Sequence, residues 1–276
     1  MAPSWISLAD RFVVNIALPA LIVAKLSQVE ISGDTVVPVA VAWMVMAVSA
    51  VVLWTVCRIL NWSRSITGAL LLVGVLGNTS FLGVGVVRSL LGENHLAAAI
   101  TYDQLGTFVA LAVYGSWIAG VYGSADRGWR PIVRRLSRFA PFLALLLSLA
   151  VRATTLPDNV MSGLNAIGLM VAPVAMGALG LRFHLHVVSR VRTAAIVGLF
   201  VKMMAVPALV VLVGALTGQL TDIEWSSAVL QSAAPPMVTA GVVAVSAGLD
   251  EDLVTFMVGV GTLLSFISLP LLSLVV

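Results

Sequence analysis

The sequence contains little charge, since Asp, Glu, Lys and Arg make up only 10% of its 276 residues. A soluble domain carries about 25% charged residues, so this composition excludes an ordinary water-soluble fold. A single cysteine, Cys57, excludes an internal disulfide framework. Apolar residues instead reach 60% of the chain. We therefore predict an all-α integral membrane protein, because helices satisfy their own backbone groups inside a bilayer.

Nine apolar stretches predict about nine transmembrane helices, each of which needs about 20 mostly apolar residues. The first stretch carries Pro19 and Lys25 and lacks a clear small-residue cleavage site, so we expect a retained helix and not a signal peptide. The fifth stretch is the shortest. The stretches lie near residues 11–29, 36–57, 66–88, 96–122, 139–153, 159–181, 191–217, 225–247 and 252–274.

Lysine and arginine are distributed unequally between the two sides of the predicted membrane. One side carries Arg11, Arg58, Arg64, the five arginines within 123–138, Arg182, Arg190 and Arg192, whereas the other carries Lys25, Arg88 and Arg152. The positive-inside rule places the richer side in the cytoplasm, so in a cell (inner) membrane the N-terminus is cytoplasmic and the C-terminus outside. The net charge of +3 lies mostly in short linkers and predicts contact with anionic lipid of the bilayer, not with nucleic acid.

Two of the apolar stretches are interrupted near the middle by helix-breaking residues. One break centres on Gly77, and the other on Pro235 and Pro236. A broken helix frees backbone N–H and C=O groups, which must face protein or a water-filled cavity because lipid cannot pair with them. Paired broken helices in the two halves of a chain indicate the substrate site of a secondary transporter.

The two breaks belong to a weak internal duplication. Residues 15–21 resemble residues 169–175, and a break follows each at a similar distance. The helices that contain these stretches cross the membrane in opposite directions, which predicts inverted repeats. The resulting division has a first repeat at 1–122 that lacks its leading helix, a basic cytoplasmic loop at 123–138, and a second repeat at 139–276. This is a 4 + 5 arrangement with two broken helices that cross.

Four stretches of the chain resemble the auxin efflux carrier family of the bile acid/auxin-type carriers. They are 77–83, 102–106, 202–207 and the C-terminal stretch 231–271. The family includes plant auxin carriers and bacterial malate or malonate permeases, so the resemblance implies alternating access and a small organic anion, a carboxylate, as substrate. Its members commonly have ten helices; a true nine-helix protein and a misassigned start both account for the difference. Phe142 stands where plant auxin carriers tend to place asparagine, which argues against indole-acetate.

The substrate site is predicted at the two breaks. Asn78 and Thr79 would begin a half-helix, whose N-terminus carries about +0.5 of an elementary charge and unpaired N–H donors. Such an end binds anions. The alternatives are that Asn78 pairs with freed carbonyls and that the two prolines form a structural kink. The predicted substrate-binding residues are Gly77, Asn78, Thr79, Asp103, Gln104, Gln231, Pro235, Pro236 and Met237.

Asp103 and two further residues, Lys202 and Asn165, are candidates for ion coupling or charge balance. Asp103 lies within an apolar helix, where insertion of an aspartate costs about 2.5–3.5 kcal/mol, so it should face the bundle interior. Lys202 is the only basic residue well inside a predicted helix. The structural alternative is a network anchor for Asp103 and a scaffold contact for Lys202. Asn165 stands where relatives often have an acid, which leaves the coupling ion, a proton among the possibilities, open.

Other function classes have less support in the sequence. It contains no HExxH or GxSxG motif and no repeated acidic motif, so we predict no enzyme, no metal and no cofactor. Broken inverted repeats suit alternating access better than a channel. A non-transporting membrane sensor stays open as an alternative, and so does assembly as a homodimer.

Overall fold

The computed structural model describes residues 4–27, 35–123, 137–151, 156–182 and 189–276. Within these ranges the chain is helical and forms no β-strand. The elements are α1 (Ile6–Leu26), α2 (Val36–Ile59), α3 (Arg64–Val73), α4 (Thr79–Leu91), α5 (Glu93–Tyr122), α6 (Ala140–Val151), α7 (Asp158–Gly180), α8 (Ser189–Thr217), α9 (Ile223–Ser232), α10 (Val238–Ser246) and α11 (Glu251–Leu272). Most of the basic loop, including Arg127, Arg130, Arg134 and Arg135, lies outside the described residues.

Six of the described helices are long and apolar enough to cross a membrane, namely α1, α2, α5, α7, α8 and α11. Each of the nine predicted stretches contains helix, and the two interrupted ones contain the short pairs α3/α4 and α9/α10. That all nine stretches cross, and that they form inverted repeats, stay predictions. The fifth stretch forms the 12-residue helix α6, as short as its sequence suggests.

Large apolar side chains cover much of the molecule's outer surface. On α6 the exposed residues include Leu146, Leu147 and Leu149, and on α11 they include Phe266 and Ile267. A helix that is apolar on all its faces is either buried in a large core or in contact with lipid. Because these faces are exposed in the protein itself, they are suited to contact with the bilayer.

The helices pack as two groups. In the first, which we call the panel, α1 packs along α6 and α7. The second, the crossover body, consists of α2–α5 and α8–α11; in it α2 packs on α5 and α9, and α11 on α3, α8 and α10. The approach of α2 to α5 is close enough for the Trp43 indole to donate to Leu105 O at 3.2 Å. The panel meets the crossover body chiefly at α10, on which both α7 and α1 pack, and also at α5, on which α1 and α6 pack.

The predicted orientation can be tested with reporter fusions. A periplasm-active reporter fused after Val276 should give signal, because the charge asymmetry places the C-terminus outside. The same reporter inserted in the 123–138 loop should be silent. A silent C-terminal fusion together with an active loop fusion would reverse the orientation.

Candidate functional site

The two broken helices meet at their breaks, and their backbones pair there. Gly77 and Pro236 form an isolated antiparallel bridge. Asn78 N donates to Pro235 O at 2.7 Å, and Met237 N donates to Leu76 O at 3.0 Å. Each break therefore satisfies backbone groups that the other frees, which an apolar environment requires. The structure thus brings together five predicted site residues, Gly77, Asn78, Pro235, Pro236 and Met237, at what we call the crossover.

Local sequence explains why both helices stop there. Pro235 and Pro236 have no N–H to continue a helix, so α9 ends at Ser232 and α10 starts at Val238. At the first break, a Cβ on Gly77 would lie 3.0 Å from Lys202 Nζ. Glycine therefore lets the backbone pass close to the lysine, and a larger residue would displace it.

Asn78 is the residue that precedes α4, and its side chain lies at the crossover without a partner. The residue is only 1% exposed, and neither its amide oxygen nor its amide nitrogen has a hydrogen-bond partner among the described residues. Burying an unpaired polar group costs about 1–3 kcal/mol, so such a group needs an explanation. The Asn78 amide therefore does not donate to the backbone carbonyls that the break frees, which was the structural alternative. It lies at the N-terminus of α4 with both a donor and an acceptor available.

Asp103 anchors the first turn of α4 to α5. Its two carboxylate oxygens accept hydrogen bonds from Thr79 Oγ1 at 2.6 Å and from Ser80 Oγ at 2.5 Å. Hydrogen bonds to a charged group are the strong class, so this contact positions the half-helix that Asn78 begins. Gln104 follows Asp103 in the same π-helical segment of α5 and is half-buried.

Lys202 places a buried cation beside the crossover. It lies in a π-helical turn of α8, is 2% exposed, and its ammonium donates to Ser232 O at 2.9 Å. That carbonyl belongs to the last turn of α9, where the helix dipole favours a positive charge. Within the described ranges no carboxylate forms an ion pair with Lys202. The lysine therefore leaves positive charge next to Gly77 that an anion can balance.

Gln231 clamps α9 against its neighbours. It is fully buried, its Nε2 donates to Ala99 O on α5 at 2.9 Å, and its Oε1 has no partner among the described residues. A Cβ on Gly83 of α4 would collide with that oxygen, so the close approach requires glycine. Asn165 is elsewhere, on α7, where its amide donates to Met161 O of the same helix at 3.1 Å. This part of α7 packs on α1, away from α4, α9 and α10, so the structure does not bring Asn165 to the crossover.

One residue of this site escapes the sequence reasoning. Ser80 donates to the Asp103 carboxylate as Thr79 does, yet its position in the sequence alone does not identify it as a site residue. The available signal is the pair of adjacent hydroxyls in the first turn after the break, set against a single intramembrane acid. A buried carboxylate requires partners, and consecutive hydroxyls at a helix start can supply two.

Comparisons with known proteins agree with a membrane transport fold. A sequence model of the family described as "Membrane transport protein" matches residues 3–126 and 130–273. A relative from Methanothermobacter thermautotrophicus, described as an uncharacterized transporter, is 30% identical over an alignment of 279 positions that covers 98% of this chain and 88% of the relative. An uncharacterized transporter from Methanocaldococcus jannaschii is 30% identical over 119 residues, which span 41% of this chain and 38% of that relative.

Proposed function

Because the chain belongs to the auxin efflux carrier-type family of membrane transport proteins, we propose that it is a secondary transporter of a small organic anion, in particular a carboxylate. Family membership and the apolar helices make it a multi-pass membrane transporter. The proposal concerns the substrate, its site at the crossover and the use of alternating access.

The observation that carries the proposal is the unpartnered amide of Asn78 at the start of α4. A carboxylate there would accept from its Nδ2 and would face the positive end of the α4 dipole. The buried ammonium of Lys202, beside Gly77, adds a positive charge. A sugar would leave that charge unbalanced, and a cation would be repelled by it. An anion would accept a hydrogen bond from the Asn78 amide and would balance the charge of Lys202.

Coupling to an ion is a further part of the proposal. Asp103 accepts from Thr79 and Ser80, which lie immediately after Asn78, so a change in its charge would alter the position of α4. Asp103 is therefore the group that we propose for proton coupling, with Lys202 as the residue that balances the substrate's charge. Asn165 contributes to neither role through the contacts described above.

Uptake by the purified full-length protein in proteoliposomes tests this function. Labelled small mono- and dicarboxylates should accumulate inside the vesicles, and unlabelled carboxylates should compete for uptake. Empty vesicles provide the control. Binding without uptake would instead indicate a sensor, uptake that never saturates would indicate a channel, and competition by cations but not by carboxylates would overturn the proposed site.

A further inference from the structure

A second buried charge cluster lies away from the crossover, where α1 starts and α7 ends. Arg182 follows α7, and its guanidinium binds the Asp10 carboxylate of α1 through two bonds, Nη1 to Oδ1 at 3.0 Å and Nη2 to Oδ2 at 2.6 Å. Both side chains are 6% exposed. A third contact joins Arg182 Nε to Glu251 Oε1 at 2.9 Å. The cluster therefore holds one arginine between two acids.

The two acids belong to different groups of helices. Asp10 is on α1, and Arg182 follows α7, so the bidentate pair is internal to the panel. Glu251 starts α11 and belongs to the crossover body. Its neighbour Asp250 caps α11 and pairs with Arg190 at the start of α8, within that same body. The contact of Arg182 with Glu251 is thus an ion pair between the two groups.

The two halves of the cluster differ in strength. The Asp10–Arg182 pair is bidentate and buried, and loss of one partner from such a pair is strongly destabilising. Glu251 makes a single contact and its side chain is 46% exposed. Water can replace Arg182 as the partner of this half-exposed acid at little cost, as in other exposed pairs. If the two groups separate, the weaker contact with Glu251 should break before the pair with Asp10.

We infer that the Arg182–Glu251 ion pair is a latch that fastens the crossover body to the panel, and that it opens when α11 moves away from α7. The inference rests on the proposed function in one respect, since alternating access requires such a movement. Apolar side chains pack next to the latch, where a Cβ on Gly241 of α10 would lie 3.0 Å from Leu179 Cδ1 and 3.2 Å from Val254 Cγ1. Val254 is one turn from Glu251 and fully buried. Because it and Leu179 of the panel both approach Gly241, we expect movement of α11 away from α7 to expose it.

Thiol labelling of Val254→Cys measures this opening. The reporter is placed in a Cys57→Ala background, since Cys57 is the only native cysteine, and a maleimide is added to the purified full-length protein in detergent. Glu251→Gln should raise the labelling rate roughly 2- to 5-fold, as expected for loss of a pair with one half-exposed partner. Raising salt from about 0.05 to about 0.5 M should raise the rate in the parent by screening the pair, and should not do so in Glu251→Gln.

Two controls isolate the latch. Glu93→Gln removes the equally simple surface pair with Arg88, whose side chains are 61% and 63% exposed, and should leave labelling of Val254→Cys unchanged. A cysteine at the exposed Gly85, where an added Cβ meets nothing within 4 Å, reports any effect of salt on the reagent itself.

The outcomes separate the latch from the transport function. Equal labelling in the parent and in Glu251→Gln, or an equal salt response in the two, would overturn the latch. If Glu251→Gln does not fold, the salt series on the parent decides alone, and a rate that stays flat after correction by the Gly85 reference overturns it. A latch that opens in a protein that moves no carboxylate would stand, and the proposed function would fail.

Discussion

Replacing Asn78 with alanine should weaken carboxylate binding roughly 10- to 150-fold and leave the protein folded. The variant removes one hydrogen bond from an uncharged donor to a charged acceptor, worth about 1.5–3 kcal/mol, at about 1.4 kcal/mol per tenfold change in affinity. The side chain has no hydrogen-bond partner among the described residues, so its loss breaks no hydrogen bond that the fold uses. The two backbone bonds of the crossover and the α4 dipole remain. Binding by isothermal titration and the Tm in detergent provide the two readouts.

Two further variants sharpen this result. Asn78→Asp should bind less well than Asn78→Ala, because it sets a negative charge against the anion. Asn165→Ala removes an amide that bonds only within its own helix among the contacts described, and should bind normally. Normal carboxylate affinity in well-folded Asn78→Ala would move the site elsewhere. Poor folding of both Asn78 variants, with normal binding by the folded fraction, would make Asn78 a structural residue.

Replacing Asp103 with alanine should lower the free energy of unfolding by about 2–4 kcal/mol, because it deletes the acceptor of two hydrogen bonds to a charged group. It leaves the Thr79 hydroxyl buried and unpaired, and it frees the first turn of α4 from α5. Denaturation in detergent measures the loss. Glu93→Gln, which alters only an exposed acid, should leave stability within about 0.5 kcal/mol.

The Asp103→Asn variant separates anchoring from coupling. Its amide can accept from Thr79 and donate to the Ser80 hydroxyl, so the variant should fold and still bind a carboxylate. Because it cannot titrate, uptake that is driven by a proton gradient in the parent should no longer respond to that gradient. A stable Asp103→Asn protein with unchanged gradient-driven uptake would leave Asp103 with the anchoring role alone.

The sequence predicts the position of the crossover because helix breaking is local chemistry. Gly77, Pro235 and Pro236 interrupt helices for reasons that do not depend on the rest of the fold. Bilayer thickness likewise predicts most helix positions, since length and apolarity are properties of short stretches. The cost of an aspartate inside the membrane likewise predicts that Asp103 faces the interior of the helix bundle. It does not say whether its partners are Thr79 and Ser80, because residues 24 and 23 positions away meet only through tertiary packing.

Partners that are far apart in the chain account for what the sequence does not predict. The Ser232 carbonyl that accepts the hydrogen bond from Lys202 is a backbone group, so no residue type in the sequence marks it. Asp10 lies 172 positions from Arg182. In the sequence, Arg182 is recognised only as one of the basic residues that orient the chain in the membrane. A signal was nevertheless present, since Asp10 directly precedes the apolar stretch 11–29, and an acid that is buried there needs a partner for the same reason as Asp103.

The backbone pairing of the two breaks has a consequence for how the protein is made. The groups freed near Gly77 find their partners near Pro236, about 160 residues later in the chain. At a synthesis rate of about 5–20 residues per second, that partner emerges roughly 8–32 s after the first break. During this interval the nascent chain carries unpaired amides and carbonyls that lipid cannot satisfy. We therefore expect chains truncated before α9 to be less stable in the membrane than the whole chain, because the Asn78 backbone amide and the Leu76 carbonyl then lack their partners.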